Sequence, residues 1–205
     1  MKSMLQELLD LTETLDFEED GGIIVVSATW RNDKEDLEIG LDLNTGEDEV
    51  QKWTLICKSE REHNIILGWG DNLEVANDHV LLWPHKKAVH KLWFNGSGED
   101  TSAVIGALWQ VHHKLVGGWF PFSRFLNCSD DFVGLMKGGH GKLAEGPEPL
   151  INAYQQVLQE YRIKNSITIR PPLHWNGSAW VDPGEVVVLF VGKCHVIASK
   201  VEARK

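Results

Sequence analysis

Cysteine is scarce in this sequence: Cys57, Cys128 and Cys194 lie far apart, with no C-x-x-C pair among them. An odd number of isolated thiols supplies neither a disulfide framework nor a zinc knuckle, so reduced, mostly buried thiols are expected. Long apolar runs are missing as well. The stretch from Val186 to Val191 is one of the longest, far short of the roughly 20 residues that a bilayer span requires. The opening MKSMLQELLDL interrupts its leucines with acids and so lacks the apolar centre of a secretion signal. These absences together predict a cytoplasmic protein without a membrane span, in which the Asn-x-Ser/Thr triplets at Asn95, Asn127 and Asn176 go unmodified.

Catalytic and nucleotide-binding motifs are absent too. Counting back from Gly141-Lys142, the first glycine of a phosphate loop falls on Met136 and its Ser/Thr place on Leu143, and Ser123 is not in a G-x-S-x-G elbow. Neither H-E-x-x-H nor a thiolate pair occurs among the nine histidines, and the adjacent His112 and His113 project about 100° apart on a helix. No metal and no cofactor is predicted.

Charge of one sign is short in one half. Residues 1–100 hold 22 Asp and Glu against 9 Lys and Arg, whereas residues 101–205 hold 8 against 11. An acidic half repels phosphate backbones, so no nucleic-acid partner is expected, and the same field attracts a basic protein. The acid runs Glu18-Glu19-Asp20 and Glu47-Asp48-Glu49 lie in loops without apolar surroundings and read as solvated rather than as catalytic pairs.

What is present is patterned. Ser3-x-x-Gln6 resembles a capping box, and Leu5, Leu8, Leu9, Thr12 and Leu15 recur at helical spacing over 3–16. After Gly21-Gly22 the period becomes two. Ile24, Val26, Ala28 and Trp30 share one strand face, and Ile23 and Val25 make the other apolar, which implies burial on both sides there. Leu37, Ile39, Leu41 and Leu43 alternate with polar residues, Asn44-Thr45-Gly46 turns the chain, and Trp53, Leu55 and Cys57 follow as a third strand. Ile65, Leu67 and Trp69 suggest a fourth, and Val80 to Trp83 and Ala88 to Phe94 continue the β pattern.

Helices enter in the second half. Asp100 or Thr101 caps a helix with Val104, Leu108, Val111 and Leu115 on its apolar face, His112 on the flank and Gly117-Gly118 as its stop. A short helix is expected at Ser129 to Lys137. Gly146-Pro147-Glu148-Pro149 opens another, carrying Leu150, Tyr154, Val157 and Tyr161. Ser166 to Arg170 is a strand, and Val186 to Val191 with His195 to Ser199 forms a closing hairpin over Gly192-Lys193. Strands and helices are grouped rather than alternating. This predicts an α+β fold, a mainly antiparallel sheet built from an N-terminal meander and a C-terminal hairpin, with helices on one face. One domain over 1–205 is expected, any subdivision falling near 95–100 between a β-rich acidic 1–95 and a mixed 96–205.

Candidate site residues concentrate in 112–145. Trp119-Phe120-Pro121-Phe122-Ser123-Arg124-Phe125 and Gly138-Gly139-His140-Gly141-Lys142 read as a loop rich in rings and glycine. In it, His140 would titrate near neutrality and Arg124 or Lys142 would hold an anion, with His112, Trp119 and Phe122 as further ligand contacts. The same aromatics equally plug the end of a core. His90 alternates with Ala88, Leu92 and Phe94 and reads as a hydrogen-bonded core histidine. Of nine tryptophans, Trp30, Trp53, Trp69 and Trp109 fit a core pattern, and Trp83, Trp119, Trp175 and Trp180 a loop-edge pattern. The leading expectation is a non-catalytic cytoplasmic binding or adaptor protein that engages a protein partner through its acidic sheet half or aromatic edge. The alternatives are a small-molecule-binding or hydrolase-like protein with its pocket at 112–145, and an immunity-type inhibitor of a basic protein.

Overall fold

The computed structural model describes residues 2–15, 21–31, 35–46, 50–96, 100–127, 131–175 and 177–205. Cys128, Asn176 and the acid runs at 18–20 and 47–49 lie outside the described residues. The fold is α+β with antiparallel sheets, and the chain divides into two compact units, Met1–Leu82 with Gly184–Lys205, and Trp83–Pro183. Among the described residues, no helix is long and apolar enough to cross a membrane.

Elements are numbered in chain order. The first unit holds α1 (Met4–Glu13), β1 (Gly22–Arg31), β2 (Asp36–Asn44), β3 (Gln51–Lys58), β4 (Glu62–Asn64), β5 (Gly68–Gly70), β6 (Leu73–Ala76), β12 (Val187–Val191), β13 (Cys194–Ala198) and β14 (Lys200–Arg204). Ser3 caps α1 by accepting from the Gln6 amide, as the sequence predicts. The meander β1-β2-β3 is extended by β14 beyond β3 and by β5 beyond β1. A second sheet runs β4-β13-β12-β6, its hairpin turning at Gly192, which holds a φ of 55° that suits glycine. One core joins both sheets: Ile23, Val25, Leu37, Ile39, Leu41 and Leu43 meet Leu189, Val191, Val196 and Ala198, with Leu8 of α1 added.

Two sequence expectations change in this unit. The strand expected through Ile65, Leu67 and Trp69 is broken: residues 65–67 lie in no strand, between β4, which pairs with β13, and β5, which holds Trp69 and pairs with β1. The Cys194 thiol holds the chain between them, donating to the Ile66 carbonyl at 3.1 Å. Val80 to Trp83 is helical rather than extended: a 3-10 turn at Val80–Leu82 leads into α2 (Trp83–Lys86), where Pro84 sits in a first turn that needs no amide donor.

The second unit contains α2, β7 (Val89–Asn95), α3 (Thr101–Val116), α4 (Phe132–Gly138), β8 (His140–Pro147), α5 (Glu148–Glu160), β9 (Lys164–Arg170), β10 (His174–Trp175) and β11 (Trp180–Val181). Asp100 caps α3 through the Ala103 amide and Asp131 caps α4 through the Gly134 amide. The sheet order is β8-β7-β9, with α5 packed on it and α3 packed on α5. The buried row of α3 is Val104, Leu108, His112 and Val116, so His112 lies at the centre of the apolar face rather than on its flank. The expected loop at 138–142 is the end of α4 and the start of β8.

Candidate functional site

The site begins with an interruption in β1. Ile23 lies opposite Leu43 and Val25 opposite Leu41; the register then shifts between Val25 and Ser27, after which Ala28 lies opposite Ile39 and Trp30 opposite Leu37. Opposed residues share a face, so this bulge places Ala28 and Trp30 on the same side as Ile23 and Val25. The expected row Ile24, Val26, Ala28, Trp30 is therefore split. Ile24 lies opposite Trp69 on the other face, where both are exposed, so the start of β1 is buried on one side only.

Beyond the bulge, β1 is also an edge. β5 pairs only with Ile23, Ile24 and Val25, and among the described residues no strand pairs with Val26–Arg31 on that side. All six residues are exposed. An edge of this kind presents unpaired backbone donors and acceptors, and only its last residue carries charge.

Beside this edge lies a cleft of about 410 Å³, lined by Ala28 and Trp30 of β1, Leu37 of β2, His63 and Asn64 of β4, and Ile65 and Leu67. Its volume falls in the usual range of roughly 300–1,000 Å³ for ligand pockets; five of its seven lining residues are apolar, while polar atoms contribute more of the exposed lining than apolar ones. Leu37, buried, forms part of the apolar wall, and Leu67 is among the most exposed apolar side chains. The His63 ring meets the Trp30 ring edge-on at 5.4 Å, and its Nδ1–H donates to Glu60 Oε1 at 3.0 Å, which fixes the imidazole at the cleft wall.

The surroundings are acidic. The first unit holds 22 Asp and Glu against 10 Lys and Arg, a net −12, while the second holds 8 against 10, a net +2. Burial, with a smaller contribution from the Glu60 charge, pushes the Cys57 thiol up to about 12, so Cys57, opposite Leu37 in the sheet, is an inert core thiol.

The six residues singled out in the sequence lie in the second unit, and they separate. His112 is buried, its Nε2–H donating to the Phe120 carbonyl at 2.8 Å and its Nδ1 accepting from the Tyr154 hydroxyl at 2.7 Å. Phe122 stacks edge-on against His112, Tyr154 and Phe132, and the Arg124 guanidinium lies over the Phe120 ring at 4.6 Å. These three thus belong to one aromatic cluster. Trp119 is exposed after α3. His140 and Lys142 stand on β8, where Nδ1 of His140 donates to the Gly138 carbonyl and the Lys142 ammonium to Glu145. None of the six lines the cleft beside β1. His90 is buried and hydrogen-bonded to Asn152, as a core histidine should be.

The tryptophans depart most from the sequence pattern. Trp53 is buried as expected, but Trp30, Trp69 and Trp109 are exposed, together with Trp93, Trp119, Trp175 and Trp180. A period-two pattern marks which residues share a face and not whether that face is covered, so Trp30 and Trp69 gave no separate signal. Among the described residues no three metal-ligating side chains converge. Comparison with protein families, with curated proteins and with solved structures found no match, and the functional reading rests on geometry.

Proposed function

We propose that this chain is a non-catalytic binding or adaptor protein that takes an extended, basic segment of a protein partner along the free edge of β1. The observation that carries this reading is the coincidence of a six-residue edge, Val26–Arg31, which among the described residues has no strand on its outer side, with a cleft walled by two residues of that same edge, Ala28 and Trp30. An added strand gains affinity from main-chain hydrogen bonds and specificity from side-chain pockets at alternate positions. The cleft takes one apolar side chain of the added segment, and the net −12 of the unit selects lysine and arginine flanks. Inhibition of a basic protein is one form such a partnership takes. The buried, unpaired thiols Cys57 and Cys194 suit a reducing compartment, and cytoplasmic residence is part of the proposal.

A displayed library of random peptides, selected on the full-length protein, tests the reading. Enriched sequences should be extended, alternate apolar residues with polar ones and carry Lys or Arg flanks, and Ala28→Trp should abolish the enrichment. Enrichment of acidic or helical sequences, or of the same sequences on the Ala28→Trp protein, would contradict it. The pocket considered at 112–145 draws no comparable support, since His112 has both ring nitrogens engaged inside a packed cluster.

A further inference from the structure

The face of the β8-β7-β9 sheet opposite α5 carries a second arrangement that is independent of the β1 edge. α5 covers the side bearing His90, Leu92 and Phe94, which are buried. On the opposite side the register sets Trp93 between Lys142 of β8 and Ser166 of β9, and Asn95 between His140 and Lys164. Lys91 lies between Glu145 and Thr168 in the next row, and Arg170 lies opposite Val89. A bulge between Leu92 and Trp93 brings Lys142, rather than Leu143, beside the indole.

Three of the four cations on this face therefore surround one carboxylate. Glu145 meets Lys142 at 3.0 Å, Arg170 at 3.1 Å and Lys91 at 3.6 Å. Desolvation works to raise the Glu145 carboxyl, but the Lys142 hydrogen bond and the charges of Lys142, Lys91 and Arg170 together hold it below the usual carboxylate range. The face is positive on a chain whose net charge is −10.

Lys164 stands apart from that network, and the cleft lies beside it. About 290 Å³ is lined by Trp93, Phe94, Asn95, Lys164, Asn165 and Ser166. The Asn165 amide is fixed, accepting from Gln155 and donating to the Ile163 carbonyl. Among the described residues, the ammonium of Lys164, the hydroxyl of Ser166 and the amide of Asn95 make no ion pair or side-chain hydrogen bond, and the Trp93 indole between them is 42 % exposed. An indole face and an unpaired ammonium, one strand apart, complement a flat ring joined to an anion.

We propose that this cleft binds a small molecule made of a flat ring and one anionic group. The ring stacks on Trp93, the anion meets Lys164 and the Ser166 hydroxyl, and the Asn95 amide addresses a polar atom on the ring or its linker. Phosphate and carboxylate satisfy the same cation, so the class includes nucleoside monophosphates and aromatic carboxylates.

Isothermal titration of the full-length protein with adenosine monophosphate and with indole-3-acetate tests this, with adenosine and inorganic phosphate as probes of each half alone. At least one of the two ring-bearing anions should bind saturably, and the isolated halves should bind about tenfold or more weakly. Trp93→Ala and Lys164→Ala should each reduce that affinity by about tenfold with an unchanged melting temperature, and Ala28→Trp should leave it intact. Failure of both ring-bearing anions to bind overturns the proposal, as does equal binding of phosphate or adenosine. Binding of a single-stranded oligonucleotide far more tightly than the monophosphate overturns it in favour of a strand-binding face.

Discussion

Trp30 stands directly opposite Leu37 in the β1–β2 ladder, yet the indole is 38 % exposed and the leucine 1 %. Two residues on one face of one sheet differ this much because β1 is an edge at that point, and the cleft opens between them. The bulge at Val26 is what turns Trp30 towards this face.

The bulge predicts opposite behaviour for two neighbouring isoleucines. Ile23→Ala removes a side chain buried to 1 % and should cost about 2–5 kcal/mol, whereas Ile24→Ala, on the exposed face, should change stability by about 0.5 kcal/mol or less. Urea denaturation of the two variants measures both, and equal losses would mean that both faces of β1 are covered.

Much of this architecture is legible in the sequence because it is set by local chemistry. Ser3 and Asp100 cap the helices they were expected to cap, Gly192 turns the closing hairpin, and Leu37, Ile39, Leu41 and Leu43 form one buried row. What stays hidden depends on partners far away in sequence. A bulge adds one residue without altering composition, so the face of Trp30 cannot be counted from Ile24. Which strand ends first is equally invisible: the pairing with β5 stops at Val25, and among the described residues no other strand continues it along Val26–Arg31.

The candidate residues at 112–145 show the same division. Their rings and glycines announced an unusual segment, but the register of β8 decides that Lys142 joins Trp93 while His112 is sealed under Phe120 and Tyr154. Tyr154→Phe leaves a buried imidazole nitrogen without its donor and should destabilise by about 1–3 kcal/mol. Peptide binding at β1 should be unaffected. A denaturation curve and a binding isotherm on the same protein separate the two effects.

Gly192 supplies a second stability test. Its φ of 55° disfavours any other residue, and a Cβ there would lie 2.6 Å from the Gly70 Cα. Gly192→Ala should therefore lose more than about 1 kcal/mol, read as a lowered urea midpoint.

The Cys57 thiol fixes an alkaline limb. Its folded-state value of about 12 exceeds the ordinary value of 9.0, so the unfolded chain releases this proton first. The stability it contributes is complete below pH 9 and declines as pH rises towards 12. Cys57→Ala should flatten that decline, and native Cys57 should react with a thiol reagent at pH 8 far more slowly than in denaturant.

The most direct measurement is the affinity of a library-selected basic peptide for the native and Ala28→Trp proteins, followed by fluorescence anisotropy at two salt concentrations. Filling the cleft should weaken binding by at least about tenfold, close to 1.4 kcal/mol, and added salt should weaken binding to the native protein. Unchanged affinity in Ala28→Trp, with the variant folded, would contradict the assignment of the β1 edge and its cleft as the binding site.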